Sequence, residues 1–370
     1  MENQSIYMPN DKAICDAVQS SKINNQSLAE IFFKRGIIVS PKTDRTPLAL
    51  YYSRMFTGFK DFDSLTSNLQ SITHREKITS RFIKGIDSNE ALEATNKLKE
   101  IINSKDYPKD ANASILRNPN ETTLTITYSD LNPNKSQLQQ VVTKEAVISI
   151  SSIGEELIVR SPYNEDSEKW ITHFLEILSS DKKQLIKTET ISLEFIDDAK
   201  LRSKFLEDLI KNIEGFSLKD VSKVSVFNPE KNKDEESELD QNESAEEDID
   251  TGIHVFKASL NGKGVLNSKE IDLLHSKGFY TYHAVWTCTE TSATPDVYEI
   301  EVKFENSDTC TSFSHKIKGF YRYISSEKYS TNRFPPTRTI EREIQSKIEK
   351  KARELIGKLI KQPTSKRARK

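Results

Sequence analysis

Glu299, Glu301 and Lys303 stand at alternate positions in the stretch VYEIEVKF, residues 297–304. In an extended chain, alternate side chains share one face, so Glu305 joins them while Tyr298, Ile300, Val302 and Phe304 take the other face. An acid-x-base triplet of this kind suits a metal-dependent nuclease. The carboxylate holds a divalent ion such as Mg²⁺, and the lysine orients water or steadies charge. That chemistry also needs a second carboxylate from a neighbouring strand. The preceding stretch FYTYHAVWTC has none, and Asp296 sits at the start of the same strand. A solvated strand face with cross-strand charge pairs produces the same pattern. We expect the latter, and carry a nuclease using Glu299, Glu301 and Lys303 as the alternative.

Other chemistries leave weaker traces. His74, His173, His254, His275, His283 and His315 are scattered without metal-ligand spacing. Cys15, Cys288 and Cys310 are odd in number and far apart, which argues against a disulfide framework and for a reducing compartment. The stretch NGKGVLNSKE lacks the spacing of a phosphate-binding loop, and no serine lies in a Gly-x-Ser-x-Gly elbow. No cofactor is expected, Mg²⁺ entering only under the nuclease alternative.

The strongest functional pattern is electrostatic. Net charge is only −2, but it is segregated along the chain. Residues 229–250 carry eleven acids against two lysines, whereas residues 316–370 carry 17 bases against five acids. Within the basic end, Phe320, Tyr321, Tyr323, Tyr329 and Phe334 are interleaved with the cations. Cations neutralise phosphates and release counterions, and aromatic rings stack on unpaired bases. Lys350, Lys351, Arg353, Lys366, Arg367 and Arg369 are the expected phosphate contacts. The expected partner is DNA or RNA. The alternatives are an acidic protein partner, which would make the chain a protein-interaction subunit of a larger assembly, and the chain's own acidic stretch.

These residues need elements to hold them. Hydrophobic residues make up 35% of 370 and charged residues 30%, enough for cores but with long polar surfaces. The expected class is α+β: a helical N-terminal domain, then two mixed-sheet regions with helices packed on them, split by an acidic disordered linker. Residues 1–86 read as helix, helix, short extended link, helix, in the manner of helix-extended-helix or winged-helix domains, with Ser27 a cap. Their bases exceed their acids by four. A helix and a turn-rich connector fill 87–112. An α+β domain follows over 113–228, with a strand expected along TETISLEFI. The acidic stretch 229–250 has too little apolar surface to fold. Residues 251–362 are strand-rich and close with a long helix from about residue 340. There Asn267 and Glu270 form an expected capping box. A basic tail, 363–370, ends the chain. The polar start and the lack of any long apolar run point to no secretory signal and no membrane span. A cytoplasmic site is expected, or a nuclear one in a eukaryote. Oligomeric state is not encoded in these patterns.

Overall fold

A computed structural model describes residues 9–40, 42–69, 76–105, 107, 111–118, 121–154, 156–182, 186–229, 256–291, 295–325 and 328–361. Most of the acidic stretch, from residue 230, lies outside the described residues, as does the tail from residue 362. The expected acidic linker and basic tail thus lie outside the described residues. The chain divides into two compact units, residues 1–74 with 93–147, and residues 75–92 with 148–370.

The first unit opens with α1 (Asp11–Gln19), α2 (Asn25–Phe33), α3 (Arg45–Ser53) and α4 (Phe59–Leu69). Apolar residues at helical spacing bury Ile14, Val18, Phe32, Tyr52 and Leu65, and Leu138 from a 3-10 turn joins them. The second helix is capped by Asn24, whose side chain accepts from the Ser27 amide at 2.8 Å, and not by Ser27 itself. The same device starts α1, where Asn10 accepts from Ala13 at 2.8 Å. β2 (Ala111–Asn118) pairs antiparallel with β3 (Glu121–Leu131), from Ala111 opposite Tyr128 to Asn118 opposite Glu121. Part of the expected connector is thus a strand. It is anchored by Asn103, whose amide both donates to the Ala113 carbonyl and accepts from the Ala113 amide.

Two elements are shared by the units: α5 (Ser88–Ile102) and β4 (Val141–Ile153). Asp87 caps α5, accepting from the Asn89 and Glu90 amides, while Glu90 accepts from the Asp87 amide in return.

The second unit is built on a sheet. Its strands are β1 (Ile78–Lys84), β5 (Glu156–Pro162), β7 (Phe216–Phe227), β8 (Lys257–Asn261), β9 (Tyr280–Glu290), β10 (Val297–Asn306) and β11 (Thr311–Tyr321). Their order is β5-β1-β11-β10-β9-β7-β8, with each of these pairs antiparallel. A short β6 (Thr188–Thr190) also pairs with β1, and the end of β4 pairs with β5. The α+β class is as expected. Strands on either side of the acidic stretch are direct neighbours, β7 against β9, so they share one sheet where two regions were anticipated. An alternating strand buries one face only, and pairing the two sets covers both edges at once.

Helices α6 (Glu165–Lys182), α7 (Ala199–Lys211), α8 (Lys269–Ser276) and α9 (Arg338–Lys361) complete the unit, with a small hairpin of β12 (Tyr323–Ser325) and β13 (Lys328–Tyr329). The cap of α8 is Ser268, which accepts from the Ile271 amide, one residue beyond the expected Asn267. The main core packs Phe205, Leu206 and Leu209 of α7 and Ile344, Ile348 and Ala352 of α9 with Trp286, Ile300, Val302, Phe304 and Ile317 of the sheet. The expected strand TETISLEFI is limited to β6, and Ile191, Leu193 and Ile196 enter the core from irregular backbone. Among the described residues, no helix is long and apolar enough to cross a membrane.

Candidate functional site

On the polar face of β10, each acid of the sequence triplet is already answered by a base. Glu299 takes Lys318 at 2.9 Å and Arg333. Glu301 takes His283 Nε2 at 3.1 Å and Lys77 at 3.5 Å. Glu305 takes Lys77 at 2.8 Å, the Ser314 hydroxyl at 2.7 Å and Lys303. Lys303 is therefore spent on Glu305 and does not serve Glu301. Arg333 reaches Glu299 because its segment crosses β11 at Gly319, where φ is +151° and an added Cβ would lie 2.7 Å from the Phe334 carbonyl oxygen.

The charges tune one another. The hydrogen bond from His283, acting against desolvation and together with the Lys77 charge, brings Glu301 down to about 2. Burial opposes the charge on Glu299, but Lys318 and Arg333 outweigh it and its pKa falls. Burial likewise opposes the charge on Glu305, and Lys303, Lys77 and Ser314 lower it. An ionised carboxylate can only accept, so His283 donates through Nε2 and, in the neutral ring, its Nδ1 accepts from Ser225 at 3.1 Å. Ser225, His283 and Glu301 thus form a relay across β7, β9 and β10. The Ser225 hydroxyl also meets Ser259 at 3.1 Å and is buried, so the relay braces strands and presents no nucleophile to solvent. Sequence patterns did not single out Ser225 or His283, since only strand pairing joins residues this far apart. Among the described residues, no three His, Cys, Asp or Glu side chains gather to hold a metal ion. On this face Lys77 lies between the Glu301 and Glu305 carboxylates, and Glu299 is held by Lys318 and Arg333, so all three acids are paired with bases.

The expected phosphate contacts are dispersed. Arg353 grips Glu156 through two bonds, at 2.6 and 2.8 Å, reaches Glu189 at 3.3 Å, and lies 4.1 Å from the Phe82 ring centroid. The bond to Glu156 raises its pKa further. This arginine holds α9 to the sheet. Lys351 pairs with Glu354 one turn along at 3.2 Å. Lys350 pairs with Glu214 at 2.9 Å, with both side chains exposed, a contact that competes poorly with a phosphate in water. Lys366, Arg367 and Arg369 lie outside the described residues.

The interleaved aromatics do converge. Phe216, Tyr298, Phe320 and Phe334 follow one another with ring centroids 5.8, 5.7 and 6.1 Å apart. Lys347 of α9 lies 5.1 Å over Phe216 at one end, and Arg322 lies 5.0 Å over Phe334 at the other. Beside them, in the small hairpin, Tyr323 meets Tyr329 edge-on and Lys219 sits 3.9 Å over Tyr329. The ladder runs from the half-buried Phe216 through the buried Tyr298 to the exposed Phe334, with a cation over each end ring. The sequence announced the aromatic–cation alternation of residues 320–334, while Phe216, Lys219 and Lys347 enter only through tertiary packing. No protein-family model matches this chain and no curated protein matches it significantly, so its function is read from this geometry.

Proposed function

We propose that this protein is a nucleic-acid-associated binding protein, an accessory subunit that contacts phosphates through α9 and the basic tail. The observation that carries the reading is the aromatic ladder from Phe216 to Phe334, held between Lys347 of the basic helix and Arg322. Cations near flat rings suit a single strand, whose phosphates and base faces are both accessible. Lys350, Lys366, Arg367 and Arg369 supply the backbone contacts, and Arg353 serves the fold. DNA and RNA are both accommodated, because stacking and phosphate contact do not read the sugar. A gel-shift series with single-stranded DNA and RNA tests this. Arg322→Ala and Phe334→Ala should each weaken the shift severalfold. Full retention of the shift in both variants contradicts the role of the ladder, and absence of any shift for the natural chain contradicts the reading.

A further inference from the structure

Among the described residues of the helical part of the first unit, four large aromatic side chains stand in solvent: Phe56 is 98% exposed, Phe33 68%, Tyr51 57% and Phe59 53%. Exposed aromatics grouped in one place mark a binding surface. One guanidinium gathers the segments that bear them. Arg35, two residues beyond Phe33, donates to the Phe56 carbonyl at 2.7 Å, pairs with Asp61 of α4 at 2.7 Å, and lies 4.9 Å over the Tyr52 ring of α3. Asp61 in turn accepts from the Gly58 amide at 2.8 Å, fixing the entry into α4 beside Phe59. Tyr51 stacks on Phe32 with centroids 6.5 Å apart. The ends of α2 and α3 and the start of α4 therefore share one corner. The neighbouring Lys34, Arg54 and Lys60 are exposed, and Arg35 already neutralises Asp61.

We propose that this corner is a stacking platform for an unpaired nucleic-acid strand. Phe33, Phe56 and Phe59 take base faces, and Lys34, Arg54 and Lys60 meet the flanking phosphates. The inference rests on the reading that the protein binds nucleic acid, and it gives the first unit the base contacts. The cations decide between occupants. A second copy docking through this corner would bring two sets of like charges together, whereas a polyanion with flat bases uses both rings and charges.

The test is fluorescence anisotropy on the full chain with a labelled oligothymidine of about 20 nucleotides and an abasic strand of the same length. Phe56→Ala, whose ring buries almost nothing, and the pair Phe56→Ala with Phe59→Ala are compared with the natural chain, and their melting temperatures check folding. The double variant should lose about tenfold or more in oligothymidine affinity, from a stacking contribution of about 1–3 kcal/mol per base, with little change on the abasic strand. The single variant should lose about fivefold. Equal affinity of the natural chain and both variants overturns the platform while leaving nucleic-acid binding through the basic end in place. Absence of binding to either strand by the natural chain overturns both. A loss of self-association on gel filtration, with oligothymidine affinity unchanged, assigns the rings to a contact between copies and also overturns the platform.

Discussion

Arg160 of β5 and Glu349 of α9 meet in a buried two-point ion pair, with Nε to Oε1 at 2.8 Å and Nη2 to Oε2 at 2.7 Å. Ser80 of β1 donates to the same carboxylate, and Arg160 also donates to Ser346 and Ser151. The basic helix is thus fastened through its buried face by a neutralised pair, leaving the cations of its outer face for other work. Removing one partner strands the other charge in the core. Glu349→Ala should cost about 3–5 kcal/mol, read from urea unfolding. Arg160→Met combined with Glu349→Leu should recover most of that loss. Equal damage in the single and double variants would contradict this account of the pair.

His315 of β11 is fully buried, 3.7 Å from Glu349 and facing the Arg160 charge across it. Burial lowers its pKa to about 4 from the ordinary 6.5, with Glu349 pulling upward and Arg160 downward. The unfolded chain therefore takes up a proton near pH 6.5 that the folded chain refuses until about pH 4. Stability is full above that window and falls as pH drops through it. His315→Phe should flatten the urea midpoint between pH 7 and 4. An unchanged pH profile would show that His315 does not set it.

Glu301 shows the complementary behaviour at lower pH. Its folded pKa of about 2 lies below the ordinary 4.5, so its contribution is present above pH 4.5 and disappears as pH falls toward 2. Glu299 and Glu305 are lowered in the same direction. Glu301→Gln should weaken the acid dependence of thermal unfolding below pH 4.5. The same acid dependence in both proteins would show that Glu301 does not set it.

Two neighbouring cations of α9 should separate cleanly. Arg353→Ala removes the grip on Glu156 and the packing over Phe82, and should cost about 1–3 kcal/mol of stability. Lys350→Ala touches only the exposed Glu214 and should leave stability unchanged, while lowering the salt slope of nucleic-acid binding by about one. The reverse pattern would place Arg353, not Lys350, at the interface.

How far the sequence carries depends on whether a signal is local. The apolar stripe of Ile344, Ile348, Ala352, Leu355 and Leu359 in α9 and the alternation of residues 297–304 in β10 are local signals; the first four stripe residues are buried and Leu359 is half-buried, and β10 buries Tyr298, Ile300, Val302 and Phe304 on one face. β1 escaped because ITSRFIK buries residues on both faces, Phe82 and Ile83 in succession, so period two never shows. β2 escaped because ANASILRN lies between turn-forming residues and is largely exposed. The acids of β10 were visible, but their partners were not. Lys77 arrives from 228 positions away to meet Glu305, and Arg333 from 34 to meet Glu299. Arg353 illustrates the limit of charge counting, since a cation in a basic run was recruited by Glu156 of a distant strand.

The most direct test of the central claim is a salt titration of single-stranded oligonucleotide binding by the full chain and by a chain lacking residues 362–370. Binding through phosphates predicts a linear fall of log affinity with log salt. At about 0.7 per neutralised phosphate, loss of the four tail bases should make the slope shallower by about three. Binding that is insensitive to salt, or the same slope in both chains, would contradict it.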